Sequence, residues 1–332
     1  MVTIKDIAKK ANVSSATISR VLKGDSSLSV SQETRERILN LAQELGYTKH
    51  LKKQLPQAKG TIGVIQWHTE TEELADLYYY SIRVSIEQEL STMGYQLIRC
   101  FNDLSNPLLK EVDGIIAIGK FSAKQIRELA KLSSQLVFVD SDTLTEGFSC
   151  VTTDFEHSVQ TVIEHFRQQA ITDIGLLVGQ ENATDGQKLP QDPRLISFKS
   201  YLTNLGILNE NYIYIGKFST QSGYDLMRTA IQEWGDQLPS AFFMANDTLA
   251  VGALRALQEY QISVPDRVQI ITFNDTAITR QVYPALSSIS VYTDEMGQEA
   301  THLLDRMIQH PNKHHPRKIK LGTTLTIRDS SH

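Results

Sequence analysis

The chain is poor in the features that mark many specialised proteins. Its two cysteines, Cys100 and Cys150, lie far apart and neither has a CxxC neighbour. That argues against a disulfide framework and fits a reducing cytoplasm. No apolar run approaches the roughly 18 residues of a membrane span. The N-terminus carries no apolar stretch of the signal-peptide kind. The expectation is a cytoplasmic protein with no membrane segment. There is no GxSxG elbow, Walker phosphate loop, GxGxxG fingerprint or HExxH motif, so the common hydrolase, nucleotide-binding and zinc-protease signatures are missing. No heptad-bearing tail follows Asp329, which favours a dimer over a coiled-coil tetramer. What is present is ordinary for a globular protein: 332 residues, 41% hydrophobic and 21% charged, enough for two or three domains.

Charge is unevenly spread. Residues 1–59 hold eleven Lys/Arg against five Asp/Glu, a net of +6, and the remainder holds 22 against 33, a net of −11. A small basic head on a large acidic body suggests one region for a polyanion and another for a different ligand.

Within the head, "TIKDIAKKA" reads as a helix. Thr3 caps it, Asp6 stands three residues on, and Ile4, Ile7, Ala8 and Ala11 share an apolar face. Asn12 suits a sharp turn that needs positive φ. Ser14 can cap the next helix, in which Thr17, Ile18, Val21 and Leu22 share one side and Ser15, Ala16, Ser19 and Arg20 are left outward. A third helix, "SQETRERILNLAQELG", runs from a Ser31 cap to Gly46 with Ile38, Leu41, Ala42 and Leu45 inward. Helix, tight turn and second short helix form the helix-turn-helix pattern, whose second helix can enter the DNA major groove. Small side chains there let the backbone approach base edges, and one Arg can bridge guanine O6 and N7. A three-helix interaction module without DNA is the other reading, and the basic outward face favours DNA.

The stretch "TIKDIAKKANVSSATISRVLKG", with "ETRERILNLAQELGY" after it, resembles the N-terminal domain of the LacI/GalR family of bacterial repressors. The loop "GDSSLSV" resembles the branch that includes the galactose-operon and evolved β-galactosidase repressors. By position, the resemblance implies that Ser15, Ala16 and Arg20 read bases. It implies that Thr3, Ser14, Thr17 and Ser19 hold phosphates, with Lys23 as a further DNA contact. It places the helix-turn-helix domain at residues 1–47 and a hinge at 48–60. On its residues alone the hinge is a basic, polar tether. The resemblance implies a short helix that folds on DNA, with Leu55 wedged in the minor groove and Lys52 at a phosphate. The segment departs from the family's Asn-Arg-x-Ala hinge pattern, and Pro56 ends any helix there.

From Thr61 apolar strand patterns alternate with helical ones, in one series up to "CVTTD" and a second after Asp154. That alternation implies two doubly wound α/β lobes with parallel sheets. The resemblance implies a periplasmic-binding-protein-like body over residues 61–330: lobe one about 61–153 plus 287–318, lobe two about 154–286 plus 319–330. Ligands of such sheets sit beyond the carboxyl ends of the strands. The polar or aromatic residues ending strands are Trp67, Asp140, Asn246, Asp247, Asn274 and Asp275. By family position Asp140, Arg194 and Asn246 bond sugar hydroxyls, and Trp67 and Phe218 stack on the ring. Asn274 stands where some relatives carry aspartate. On the residues alone, Trp67 and Phe218 fit a lobe core equally well, and Arg194 requires a ligand or a carboxylate partner. Tyr79, in the Tyr78–Tyr80 run, lines the cleft or belongs to a dimer surface.

The expectation is a repressor that grips a palindromic double-stranded operator as a homodimer and releases it on binding galactose or a galactoside. It needs no cofactor and no metal; His310, His314 and His315 read as a surface loop. A non-DNA sugar-binding or glycoside-processing protein stays open, as does a regulator driven by a phosphoprotein or purine corepressor.

Overall fold

The computed structural model describes residues 3–22, 28, 30–45, 58–75, 77–311 and 315–332. The chain divides into two compact units, Met1–Lys59 and Gly60–His332.

In the first unit, α1 (Ile4–Ala11), α2 (Ser15–Leu22) and α3 (Gln32–Glu44) enclose an apolar centre. Asn12 takes φ 56°, the left-handed conformation that ends α1. The Ser14 Oγ accepts from the Thr17 N–H at 3.0 Å and the Ser31 Oγ from the Thr34 N–H at 3.3 Å, so hydroxyls cap α2 and α3. Ile7, Ala8, Ala11, Ile18, Val21, Leu22, Ile38 and Ala42 are buried together. Burying each of the larger aliphatic side chains contributes about 1.5–3 kcal/mol.

The second unit holds two sheets. The first contains β1 (Thr61–Gln66), β2 (Gln96–Phe101), β3 (Gly114–Ile118), β4 (Leu136–Val139), β5 (Ser149–Thr153) and β11 (Lys318–Leu321). The second contains β6 (Ile174–Gly179), β7 (Ile213–Gly216), β8 (Ala241–Met244), β9 (Gln269–Asn274), β10 (Ser287–Ser290) and β12 (Thr324–Thr326). Their orders are β11-β5-β4-β3-β1-β2 and β12-β10-β9-β8-β6-β7. The pairings are parallel except β10 with β12. Strands β3, β4, β6, β8 and β9 are buried along their whole length, as sheets covered by helices on both faces require.

The covering helices are α4 (Glu70–Ala75), α5 (Leu77–Thr92), α6 (Ala123–Leu132), α7 (Phe155–Gln168), α8 (Pro193–Leu205), α9 (Thr220–Trp234), α10 (Asp247–Glu259) and α11 (Thr293–Gln309). Helix α4 was not expected. Its start is a capping box in which the Thr69 N–H donates to Glu72 Oε2 at 2.9 Å and the Glu72 N–H to Thr69 Oγ1 at 3.3 Å. Its buried Glu73 is held by Arg83 at 2.7 and 2.8 Å. Helices α9 and α10 meet backbone to backbone: a Cβ at Gly223 would lie 2.1 Å from the Leu249 carbonyl oxygen, and one at Gly252 would lie 1.9 Å from that of Thr220.

The lobe boundaries differ from the expected ones. Ser287–Ser290 pairs with β9 in the second sheet, so the chain recrosses after Ser290 rather than at 287. Lys318–Leu321 pairs with β5 in the first. The register decides this: Ile289 sits opposite Phe273 and completes the second sheet's core.

Candidate functional site

The outward face of α2 offers Ser14, Ser15, Ala16 and Arg20 exposed, with Thr17 and Ser19 half-buried. Ile18, Val21 and Leu22 face the core, so the α2 core anchors it while its small polar side remains accessible. The Ser14 and Thr17 hydroxyls are 2.8 Å apart and share one hydrogen bond. Thr3 donates from its N–H and Oγ1 to Asp6 Oδ2 at 2.8 and 2.7 Å, and these bonds hold the Asp6 carboxyl below its ordinary range. Lys23, Lys52 and Leu55 lie outside the described residues.

In the second unit, an inner recess of about 30 Å³ is lined by Tyr78, Tyr79, Lys120, Asp140, Phe155, Glu181, Arg194, Phe218, Asn246 and Asn274. It shares Lys120, Asp140, Phe155, Glu181 and Phe218 with an outer cleft of about 730 Å³. The recess alone is too small for a sugar, and the cleft falls in the range of about 300–1,000 Å³ usual for ligand pockets. Residues from the ends of strands in both sheets meet here, as the doubly wound architecture dictates.

Asp140, just past β4 at φ 65°, is the polar centre of the first sheet's side. It accepts from the Tyr78 hydroxyl at 3.2 Å and the Tyr79 hydroxyl at 2.8 Å, and pairs with Lys120 Nζ at 2.8 Å. Burial first, and then the Asp140 charge, push both phenols well above their ordinary range, so they stay neutral donors. Tyr80, next in the run, is exposed.

Opposite, Arg194 is fixed by Asp192 through Nε at 2.8 Å and Nη2 at 2.6 Å. It also donates to the Ala245 carbonyl. Its guanidinium lies 5.1 Å from the ring centre of Phe218 and 5.5 Å from that of Phe155. Phe218 can lie there because Gly179 has no side chain: a Cβ would fall 2.3 Å from the ring. Asn246 caps α10, accepting from the Leu249 N–H at 2.9 Å, and Asn274 ends β9 at φ 106°. Asp247 is buried and structural, accepting from the Thr276 N–H at 2.7 Å.

Six of the expected cleft residues thus share one recess: Tyr79, Asp140, Arg194, Phe218, Asn246 and Asn274. Trp67 does not line it. Its ring packs over Gly119, where a Cβ would fall 1.8 Å away, and edge-on behind Tyr79 at 5.8 Å. The expectation that Trp67 stacks on a ligand gives way to a core position. Lys120, Phe155 and Glu181 were missed, although each stands two residues beyond a strand end, close to the signal that found Asp140 one residue beyond. The Glu181 carboxyl is pushed up to about 7, chiefly by burial. The arrangement combines planar hydrogen-bonding groups with aromatic faces, which suits a polyhydroxylated ligand.

Residues 3–50 match bacterial regulatory proteins of the lacI family, and residues 163–331 match a periplasmic binding protein-like domain. The chain is 49% identical to the HTH-type transcriptional regulator GalR of Streptococcus thermophilus, covering 100% of both. It is 41% identical to the GalR of Lacticaseibacillus casei, again over 100% of both. It also superposes on the lac repressor dimer bound to operator and the anti-inducer ONPF, with a TM-score of 0.75 at 22% identity, covering 99% of this chain and 98% of that one.

Proposed function

The chain belongs to the LacI family of bacterial regulatory proteins, a transcriptional regulator and not an enzyme, and from that premise we propose that it represses as a dimer on a two-fold symmetric operator and leaves it on binding galactose or a galactoside. The observation that carries the effector half is the recess, where the Arg194 fork and the Asp140 and Asn246 groups stand beside the rings of Phe155 and Phe218. Hexoses need such planar partners for hydroxyls and a ring face for their C–H surface. The exposed face of α2 supports the DNA half: Ser15, Ala16 and Arg20 read base edges, and Thr3, Ser14, Thr17, Ser19, Lys23 and Lys52 hold phosphates. Leu55 acts as the minor-groove wedge.

Two basic heads on one dimer match two half-sites, and phosphate contacts make the affinity salt-dependent. A sugar bound between the lobes favours one lobe arrangement over another, and that differential affinity shifts the spacing of the heads. Such a protein works in the bacterial cytoplasm. The test is an operator gel shift with a panel of galactose, lactose, glucose, purines and phosphoprotein corepressors. Release by galactose or lactose alone is expected; release by none of the sugars, or tighter binding with a purine or phosphoprotein, retires the effector.

A further inference from the structure

The segment 180–192, between β6 and α8, leaves the second sheet and packs on the first. Ala183 and Leu189 are buried among side chains of the first sheet's core. The Ser122 Oγ donates to Asp185 Oδ2 at 2.8 Å, and Gln125 Nε2 donates to Thr184 Oγ1 at 2.6 Å. Ser122 and Gln125 are the capping box of α6, a rigid anchor. The tip closes on itself through the Ala183 N–H to the Gln187 carbonyl at 2.8 Å, with Gly186 at φ 79°. At its base, Gln180 Nε2 donates to the carbonyls of Glu181 and Leu189 at 3.0 and 3.3 Å. The strap is therefore held at both ends, and Glu181 is held with it, at the junction of recess and outer cleft.

Glu181 has acceptor capacity to spare. Its carboxyl feels burial and surrounding charges but takes no hydrogen bond among the described residues. The cations that face it are already matched, Lys120 by Asp140 at 2.8 Å and Arg194 by Asp192 at 2.6 Å. The Tyr78 and Tyr79 hydroxyls both donate to Asp140. A neutral polyol entering here brings the hydroxyl donor that Glu181 lacks. A phosphate or carboxylate brings a second negative charge to a partly desolvated recess whose cations among the described residues, Lys120 and Arg194, are both matched. Lys188, which also lines the outer cleft, is exposed, so solvent screens any attraction it offers.

We propose that Glu181 determines the specificity of this recess, accepting a hydrogen bond from a hydroxyl of a neutral sugar and turning away sugar phosphates and sugar acids. This rests on the sugar reading above and adds the charge class of the effector.

Calorimetry on the full-length protein at about pH 8, above the folded value of about 7 so that Glu181 is ionised, tests it with galactose, lactose, glucose and galactose 6-phosphate. The wild type is expected to bind a neutral sugar and to give no measurable heat with the phosphate ester. Glu181→Gln keeps the shape and removes the charge, so the preference for neutral sugar over phosphate ester falls by about tenfold or more. Glu181→Ala also removes the acceptor and weakens the neutral sugar by about tenfold or more. A cooperative melt establishes that each variant is folded. Wild-type affinities in both variants overturn the inference, as does a wild type that prefers the phosphate ester to every neutral sugar. If glucose binds instead of galactose and lactose, the effector named above falls and the Glu181 comparison proceeds with glucose. If no sugar in the set binds, both readings fall together.

Discussion

Arg194 grips the side chain of Asp192, two residues before it, with Nε–Oδ1 at 2.8 Å and Nη2–Oδ2 at 2.6 Å. The same carboxylate accepts the Arg194 N–H at 2.8 Å and caps α8, with Pro193 in the first helical position. Burial works against both charges, yet each partner favours the charged form of the other, so Asp192 stays below the ordinary carboxylate range and Arg194 above its own. Removing one member of such a pair strands a buried charge. Asp192→Ala is expected to cost about 3–5 kcal/mol in urea unfolding, with Asp192→Asn less severe because the cap survives. An unchanged midpoint in Asp192→Ala would show that solvent reaches Arg194.

Arg20 stands exposed on α2, beside Ser15 and Ala16. Arg20→Ala is expected to relax sequence preference at one base pair and to cost about 1–3 kcal/mol of specific binding. Competition binding against single-base operator variants reads this out. A uniform loss on all DNA would assign Arg20 to phosphate instead.

Leu55→Ala is expected to weaken specific operator binding much more than binding to random DNA, because a wedge works only where the duplex is kinked. Equal losses on the two DNAs would remove Leu55 from that role.

Glu181 gives a pH dependence of known sign. Its folded pKa is raised from 4.5 to about 7, so the folded state holds this proton more tightly than the unfolded chain does. The contribution to stability is therefore complete below the unfolded value and is lost as pH rises through the folded one. Glu181→Gln has no such proton. The variant should gain on the wild type between about pH 4.5 and pH 8, by on the order of 3 kcal/mol. Denaturant midpoints that run parallel across that window would contradict the burial of this carboxyl.

Gly252→Ala should force α9 and α10 apart, since the new Cβ meets the Thr220 backbone carbonyl at 1.9 Å and no side chain can yield there. The expected loss is about 1–3 kcal/mol, the usual scale of overpacking. A melting temperature equal to the wild type's would mean that the helices slide at little cost.

Much of the site was legible because strand ends in parallel sheets point to ligands. Asp140, Asn246 and Asn274 follow that rule and share the recess. Trp67 obeys it too, but its ring settles over the bare Cα of Gly119, and only the pairing of β1 with β3 brings those two together. Glu181, Lys120 and Phe155 obey it and were overlooked, since a polar or aromatic residue after a strand is equally at home on a surface. Helix α4 is hard to read from the sequence for a different reason. Its Thr69–Glu72 box is visible, but six residues are too few to show an apolar period.

What the sequence determined by itself is local. The periods of the α2 apolar side, the Asn12 turn, the Ser14 and Ser31 caps and the alternation of strands with helices all depend on residues within a few positions of one another. What only the tertiary structure decided is which distant segments meet. The recrossing after Ser290 follows from the register of Ile289 against Phe273. The strap's hold on Ser122 and Gln125 follows from contacts made about 60 positions apart in the chain. Neither leaves a periodic trace, because a contact between two remote side chains depends on how whole sheets pack and not on the residues beside either one.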